Sequence, residues 1–153
     1  MKRFLIIALL VISWNNDYAQ ILPANRYFSN YILDSESTNS SFAYSLRKLR
    51  VGYLGFAVKI RRSADNAEAN VQFDDLDRVS NSSIVTVTNV GTSTLTLGQN
   101  LTYNTFAGAQ TISITTWYDQ GTNAYHAIQT TNSKQPTLIL NSAGPTNTLP
   151  SVN

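Results

Sequence analysis

The chain has 153 residues, of which 42% are hydrophobic and 13% are charged, with a formal net charge of +2. A chain of this length holds about one domain. It contains no cysteine and one histidine, which excludes disulfide frameworks, thiol nucleophiles and any site that needs two histidines. Ser, Thr and Asn number 16, 17 and 16, so hydroxyls and amides supply most of the polarity, as is typical of a β-rich secreted domain.

The first 19 residues have the layout of a secretory signal peptide. Lys2 and Arg3 precede the apolar run Phe4–Ile12, and a polar stretch follows. We expect cleavage between Ala19 and Gln20 and a secreted or cell-surface location. A membrane-spanning helix needs about 20 apolar residues, so the short run predicts no membrane insertion.

Residue periodicity predicts a β-rich chain with one short helix. A strand is expected near Tyr31–Leu33, and a helix over 41–50, because Phe42, Leu46 and Leu49 share one helical face. Alternating patterns then predict strands that begin at Phe56 and continue at 69–73, 84–90, 94–97, 111–118 and 136–140. Short strands at close spacing favour an all-β antiparallel sandwich of the concanavalin or lectin-like jelly-roll type.

The predicted domain begins at Gln20 and is expected to be incomplete. Apolar alternation starts again at Leu149 and Val152, close to the last residue, Asn153. We therefore expect residues 20–153 to be the N-terminal portion of one sandwich domain that continues beyond this sequence.

The motif Trp117-Tyr118-Asp119-Gln120-Gly121, at the end of the most strongly predicted strand, is the leading candidate site. Aromatic faces stack on sugars, and Asp and Asn hydrogen-bond to hydroxyls, so Trp117, Tyr118, Asp119 and Asn123 are the predicted sugar-binding residues. Alternation would put Trp117 and Asp119 on the binding face and Tyr118 in the core. In the alternative interpretation, Trp117 is a core residue and Asp119 caps the turn.

Other charged clusters carry weaker signals. Residues 47–62 hold six of the eleven basic residues, but a net charge near zero argues against nucleic acid. Asp74, Asp75 and Asp77 lack the order of a calcium loop, so solvated turn carboxylates are favoured over a metal. His126 has no identifiable catalytic partner and is expected at the surface or an interface. The sequence predicts no cofactor and no metal, and leaves the oligomeric state open.

Two segments together resemble a known family. The first runs from Ala43 to Arg50 and continues through Tyr53, Gly55 and Val58–Ala67; the second is Thr116–Gln120, Asn123, His126–Gln129 and Gln135-Pro136. Their order and spacing resemble the N-terminal part of the catalytic domain of family-54 α-L-arabinofuranosidases (arabinofuranosidase B), and similar segments occur in other concanavalin-like sandwich proteins.

The resemblance implies a secreted β-sandwich that removes arabinofuranosyl groups from plant arabinan or arabinoxylan with retention. The nucleophile and acid/base carboxylates of that family lie downstream of the Tyr-Asp-Gln segment and would fall beyond Asn153, so no residue here is predicted to be catalytic and this piece would supply scaffold. Whether the protein is an enzyme is left open. The alternative is a non-catalytic glycan-binding or adhesion module of a larger surface protein; in both cases the expected partner is a polysaccharide or glycan.

Overall fold

The computed structural model describes residues 31–35, 40–140 and 151–152. The predicted signal peptide, residues 1–19, lies outside the described residues. The strands are β1 (Val58–Arg62), β2 (Glu68–Val71), β3 (Ile84–Asn89), β4 (Asn100–Thr102), β5 (Ile112–Trp117), β6 (Ala127–Ile128), β7 (Leu138–Ile139) and β8 (Ser151–Val152). The helices are α1 (Ile32–Ser35), α2 (Tyr103–Ala107) and a short 3-10 turn at Asn132–Lys134.

The described strands form two antiparallel sheets. Six strands make the larger one in the order β4-β3-β2-β1-β5-β6, and β7 pairs with β8 in the other. An all-β fold of antiparallel sheet with short helices is therefore confirmed, whereas the packing of two sheets into a sandwich stays a prediction. No helix among the described residues is long and apolar enough to cross a membrane.

The two faces of the large sheet differ because the side chains alternate along each strand. On the core face, Val85, Val71 and Val58 are cross-strand neighbours and are fully buried. On the opposite face, Thr86, Asn70 and Lys59 are the corresponding neighbours and are only partly buried. We call this second surface the polar face.

β3 pairs with β4 through a longer connection than the predicted strands at 84–90 and 94–97 would leave. The return strand begins at Asn100 rather than at Thr94, and residues 94–97 lie in the loop. Gly91 adopts φ +53°, and a Cβ there would lie 1.9 Å from the Asp65 carbonyl oxygen. The loop therefore packs against the turn after β1, a long-range contact that alternation alone does not reveal.

The helix predicted over 41–50 does not form. Its backbone groups bond to distant segments instead: Lys48 N donates to Asp77 O, Val79 N donates to Leu46 O, and Arg47 forms an isolated bridge with Arg78. Leu46 is still buried, so the apolar residues serve the core from an extended segment. The prediction was wrong because helical spacing over ten residues is a weak signal that tertiary contacts override.

The observed helices fall elsewhere. The strand predicted near Tyr31–Leu33 does not form, and residues 32–35 form α1 instead. The five-residue α2 is capped by Thr102, whose hydroxyl accepts from Thr105 N, and ends at Gly108 with φ 52°. Its Phe106 is fully buried on the core face, which anchors α2 to the sheet.

Candidate functional site

Asp119, just after β5, is a buried carboxylate saturated by backbone amides. The residue is only 2% exposed. Its Oδ1 accepts from Ala43 N and Gly121 N, each at 2.7 Å. Oδ2 accepts from Tyr125 N at 3.0 Å. Desolvation is the largest influence on the pKa of Asp119 and acts to raise it, but these three hydrogen bonds and nearby His126 outweigh it and lower the pKa.

Gln120 is fully buried and extends the same set of contacts. Its Oε1 accepts from Leu49 N at 2.7 Å, while Nε2 donates to Arg47 O at 2.9 Å and Ser45 O at 3.1 Å. Both carbonyls and the amide belong to the segment in which the sequence predicted a helix. We call the hydrogen bonds made by these two side chains the Asp119–Gln120 network; it ties residues 43–49 to the end of β5.

The network assigns Asp119 a positioning role within the fold. All three of its bonds are to backbone N–H groups, including the Gly121 amide of the adjoining turn. This is the geometry of the turn-capping alternative, and it leaves the carboxylate buried. Asp119 fixes two backbone segments, one at residue 43 and one at residues 121–125.

Trp117 and Tyr118 have the opposite orientations from those that alternation predicted. Trp117 pairs with Val58 and packs against the core, where it is partly buried. Tyr118 lies over the polar face, and its hydroxyl donates to Asn70 Oδ1 at 2.7 Å. The register shift between Lys59 and Ile60 leaves Thr115 as an extra residue in β5. The alternation that begins at Ile112 and Ile114 is therefore inverted before it reaches the motif.

Asn123 and His126 lie in the loop that Asp119 organises. Asn123 is exposed, and its Nδ2 donates to Ser41 O at 3.3 Å. The Asp119 backbone N–H donates to His126 Nδ1 at 3.1 Å. The His126 ring also meets Tyr118 edge-on, with centroids 5.0 Å apart. His126 is exposed, as predicted.

The network holds three aromatic residues close together, and sequence reasoning missed them as a site. Phe42 is 61% exposed and stacks on Tyr44 with ring centroids 5.5 Å apart. Tyr125 is 62% exposed, and its carbonyl accepts from the Tyr44 hydroxyl. We call Phe42, Tyr44 and Tyr125 the aromatic rim. Their only sequence signal is that Tyr44 belongs to the first resembling segment, while Phe42 and Tyr125 each adjoin a residue of the two segments.

A second group of motif residues is joined beneath the loop that precedes β7. Arg61 Nε donates to Gln135 Oε1, and Arg61 Nη1 donates to Asn66 Oδ1, both at 2.8 Å. Gln135 Nε2 in turn donates to Gln129 O at 2.9 Å. These four residues therefore form one hydrogen-bonded cluster, although two belong to the first resembling segment and two to the second, more than 60 positions later.

Four acidic residues of the described ranges are paired with basic residues. Asp65, Glu68, Asp74 and Asp77 face the basic residues Arg62, Lys59, Arg78 and Lys48. Asp74 Oδ1 also accepts from Leu76 N and Arg78 N, which makes the 74–78 segment a carboxylate-capped turn. No group of three or more His, Asp or Glu side chains suited to a metal occurs in the part of the chain that the structure describes.

An open cavity of about 330 Å³ lies between α2 and β7. Its lining includes Tyr103, Ile112 and Leu138 but none of the motif residues discussed above. Burial raises the pKa of Tyr103 to about 12, so its phenol stays protonated at ordinary pH. Because its lining contains none of the motif residues, the cavity is separate from the candidate site.

Comparison with known proteins adds no assignment. The chain matches no protein-family model, and neither the curated proteins nor the solved structures show significant similarity to it. The case for its function rests on the geometry above.

Proposed function

We propose that this chain is a non-catalytic glycan-binding domain whose aromatic rim stacks on sugar rings. The observation that carries the proposal is the clustering of Phe42, Tyr44 and Tyr125 at the surface, two of them more than half exposed. Large aromatic side chains are normally buried, and the exposed Phe42 ring, stacked on the partly buried Tyr44, offers a flat apolar surface of the kind that sugar faces bind.

The surroundings of the rim supply the polar groups that such a site needs. Asn123 is exposed and contacts Ser41, next to Phe42, and the exposed His126 follows Tyr125. Amide and imidazole groups can donate to and accept from sugar hydroxyls. Because Asp119 fixes both backbone segments, the rim is organised before any ligand arrives, which lowers the entropy cost of binding. Secretion, as residues 1–19 predict, fits this function.

Binding of plant cell-wall oligosaccharides by the purified chain tests the proposal. We expect titration with xylotetraose or arabinotetraose to give saturable binding that Tyr125→Ala and Phe42→Ala each weaken roughly threefold to tenfold, the range for one aromatic stacking contact. Both variants keep the backbone bonds to Asp119, so the melting temperature should change little. Leu54→Ala, at a 95% exposed position outside the rim, is the matched control. Absence of binding to every cell-wall glycan on an array would contradict the proposal.

A second proposal is that the chain is the scaffold portion of an arabinofuranosidase of the class that its motifs resemble. It is favoured by the internal role of the motif residues, since Asp119, Gln120 and Gln135 hold loops together. Under this proposal the catalytic carboxylates come from outside this sequence. Release of 4-nitrophenol from its α-L-arabinofuranoside by the full-length protein would support it, and a full-length protein that binds glycans without that release would favour the first proposal alone.

A further inference from the structure

Arg61 on the polar face is a buried cation that contacts no carboxylate among the residues the structure describes. The residue is 9% exposed, and its hydrogen bonds go to Gln135 Oε1, Asn66 Oδ1 and the Arg62 carbonyl. All three acceptors are neutral. A buried charge without a counter-charge costs free energy, so this arrangement calls for a physical reason.

The neighbouring carboxylates do not neutralise the positive charge of Arg61. Glu68 is directly across from Arg61 in the β1–β2 register, but its carboxylate contacts Lys59 Nζ at 2.6 Å. The adjacent Arg62 is paired with Asp65. Arg62 packs on Phe106 of the core face, so only the Lys59–Glu68 pair shares the polar face with Arg61. That pair cancels, and the positive charge of Arg61 is the excess charge of this part of the polar face.

One nitrogen of the guanidinium is free to bind a ligand. Within the described ranges, Arg61 Nη2 has no hydrogen-bond acceptor. It is not among the side-chain atoms there that lack both a hydrogen-bond partner and solvent contact, so Arg61 Nη2 reaches solvent. A guanidinium that is already fixed by two neighbours loses little freedom when it binds a carboxylate, the anion its planar geometry matches best.

We propose that Arg61 binds the carboxylate of a uronic acid unit in the glycan, an inference that rests on the proposed glycan-binding function. The Tyr118 ring meets His126, the neighbour of Tyr125 in the rim, and Tyr118 N donates to Ala57 O. Arg61 lies four residues beyond Ala57, roughly 13 Å in an extended strand. Tyr118, Asn70 and the Lys59–Glu68 pair occupy the polar face between them. The ligand is therefore an acidic oligosaccharide rather than a single sugar.

The test compares xylotetraose with the same tetraose carrying one glucuronic acid branch. We expect the acidic form to bind the wild-type chain about tenfold or more tightly, as for one charge-assisted hydrogen-bonded contact, and rising salt to reduce that preference. Arg61→Gln should abolish the preference and Arg61→Lys should weaken it, while affinity for the neutral tetraose stays unchanged. Arg47→Gln, which removes the same charge at an exposed position, should leave the preference intact.

The outcomes separate the two proposals. Equal binding of both oligosaccharides would overturn the role of Arg61 and leave the aromatic rim standing, whereas binding of neither would contradict the glycan-binding function itself. If Arg61→Gln does not fold, the Arg61 Nε–H resonance of the wild-type chain decides. A saturable shift of that resonance with the acidic tetraose but not the neutral one supports the proposal, and no shift overturns it.

Discussion

Asp119 is a polar residue at the end of a strand, a position that suggests ligand binding, and its side-chain hydrogen bonds are made to the protein backbone. Its carboxylate takes three backbone N–H groups from two chain segments, which an isolated turn cap does not do. The residue types alone do not distinguish a sugar-binding role of Asp119 from a turn-capping role. What the sequence could not supply is the partner at Ala43, 76 positions away.

Replacing Asp119 by Asn tests that role at the residue scale. The amide keeps the shape but loses the charge and one acceptor, so at least one buried backbone N–H loses its partner. We expect a loss of about 1–3 kcal/mol in the free energy of unfolding. Glycan affinity should fall as well, because the rim segments loosen. Urea unfolding followed by circular dichroism measures the change.

The control for this variant is Asp75→Asn at an exposed position. It should change the free energy of unfolding by no more than about 0.5 kcal/mol. A full loss of glycan affinity in Asp119→Asn with unchanged stability would instead mean that the carboxylate contacts the ligand.

At the scale of elements, the strands were predicted better than anything else. Alternation located β1, β2, β3 and β5 to within a few residues, because one face of each meets the core. The segment 41–50 was misassigned because its pattern fits a helix while its hydrogen-bond partners are Asp77, Val79 and Gln120. The aromatic rim escaped prediction for the same reason, since only tertiary contacts bring residue 125 beside residues 42 and 44.

The loop between β3 and β4 gives a prediction about backbone conformation and packing. Gly91 and Gly98 both have positive φ, +53° and +78°, but only Gly91 is crowded by another segment. Gly98→Ala should cost about 1–2 kcal/mol, the conformational penalty alone. Gly91→Ala should cost more, because the new Cβ would meet the Asp65 carbonyl oxygen. Thermal unfolding of the two variants checks this, and equal losses would contradict the close packing.

For the whole molecule, two carboxylates predict how stability depends on pH. The hydrogen bond from Arg62 is the main cause that lowers the pKa of Asp65, and backbone amides lower that of Asp119 against desolvation. Each group binds its proton less readily when folded, so its contribution is fully present above the unfolded value and is lost as pH falls through the lowered folded pKa. The free energy of unfolding should therefore fall with acidification from pH 5 downwards.

Urea unfolding at a series of acidic pH values measures this dependence. The slope should be shallower in Asp119→Asn, which has no carboxyl to titrate at that position. An identical slope in the variant and the wild type would contradict a lowered pKa for Asp119.

Amide hydrogen exchange tests most directly the central claim that the Asp119–Gln120 network joins residues 43–49 to the end of β5. In the wild-type chain, the amides of Ala43, Gly121, Tyr125 and Leu49 should be protected, because each donates to one of the two side chains. Asp119→Ala, which removes both acceptor oxygens, should selectively speed exchange at the first three and leave Leu49, which donates to Gln120, protected. Exchange of all four at the rate of unprotected amides in the wild type, or no change in the variant, would contradict the account.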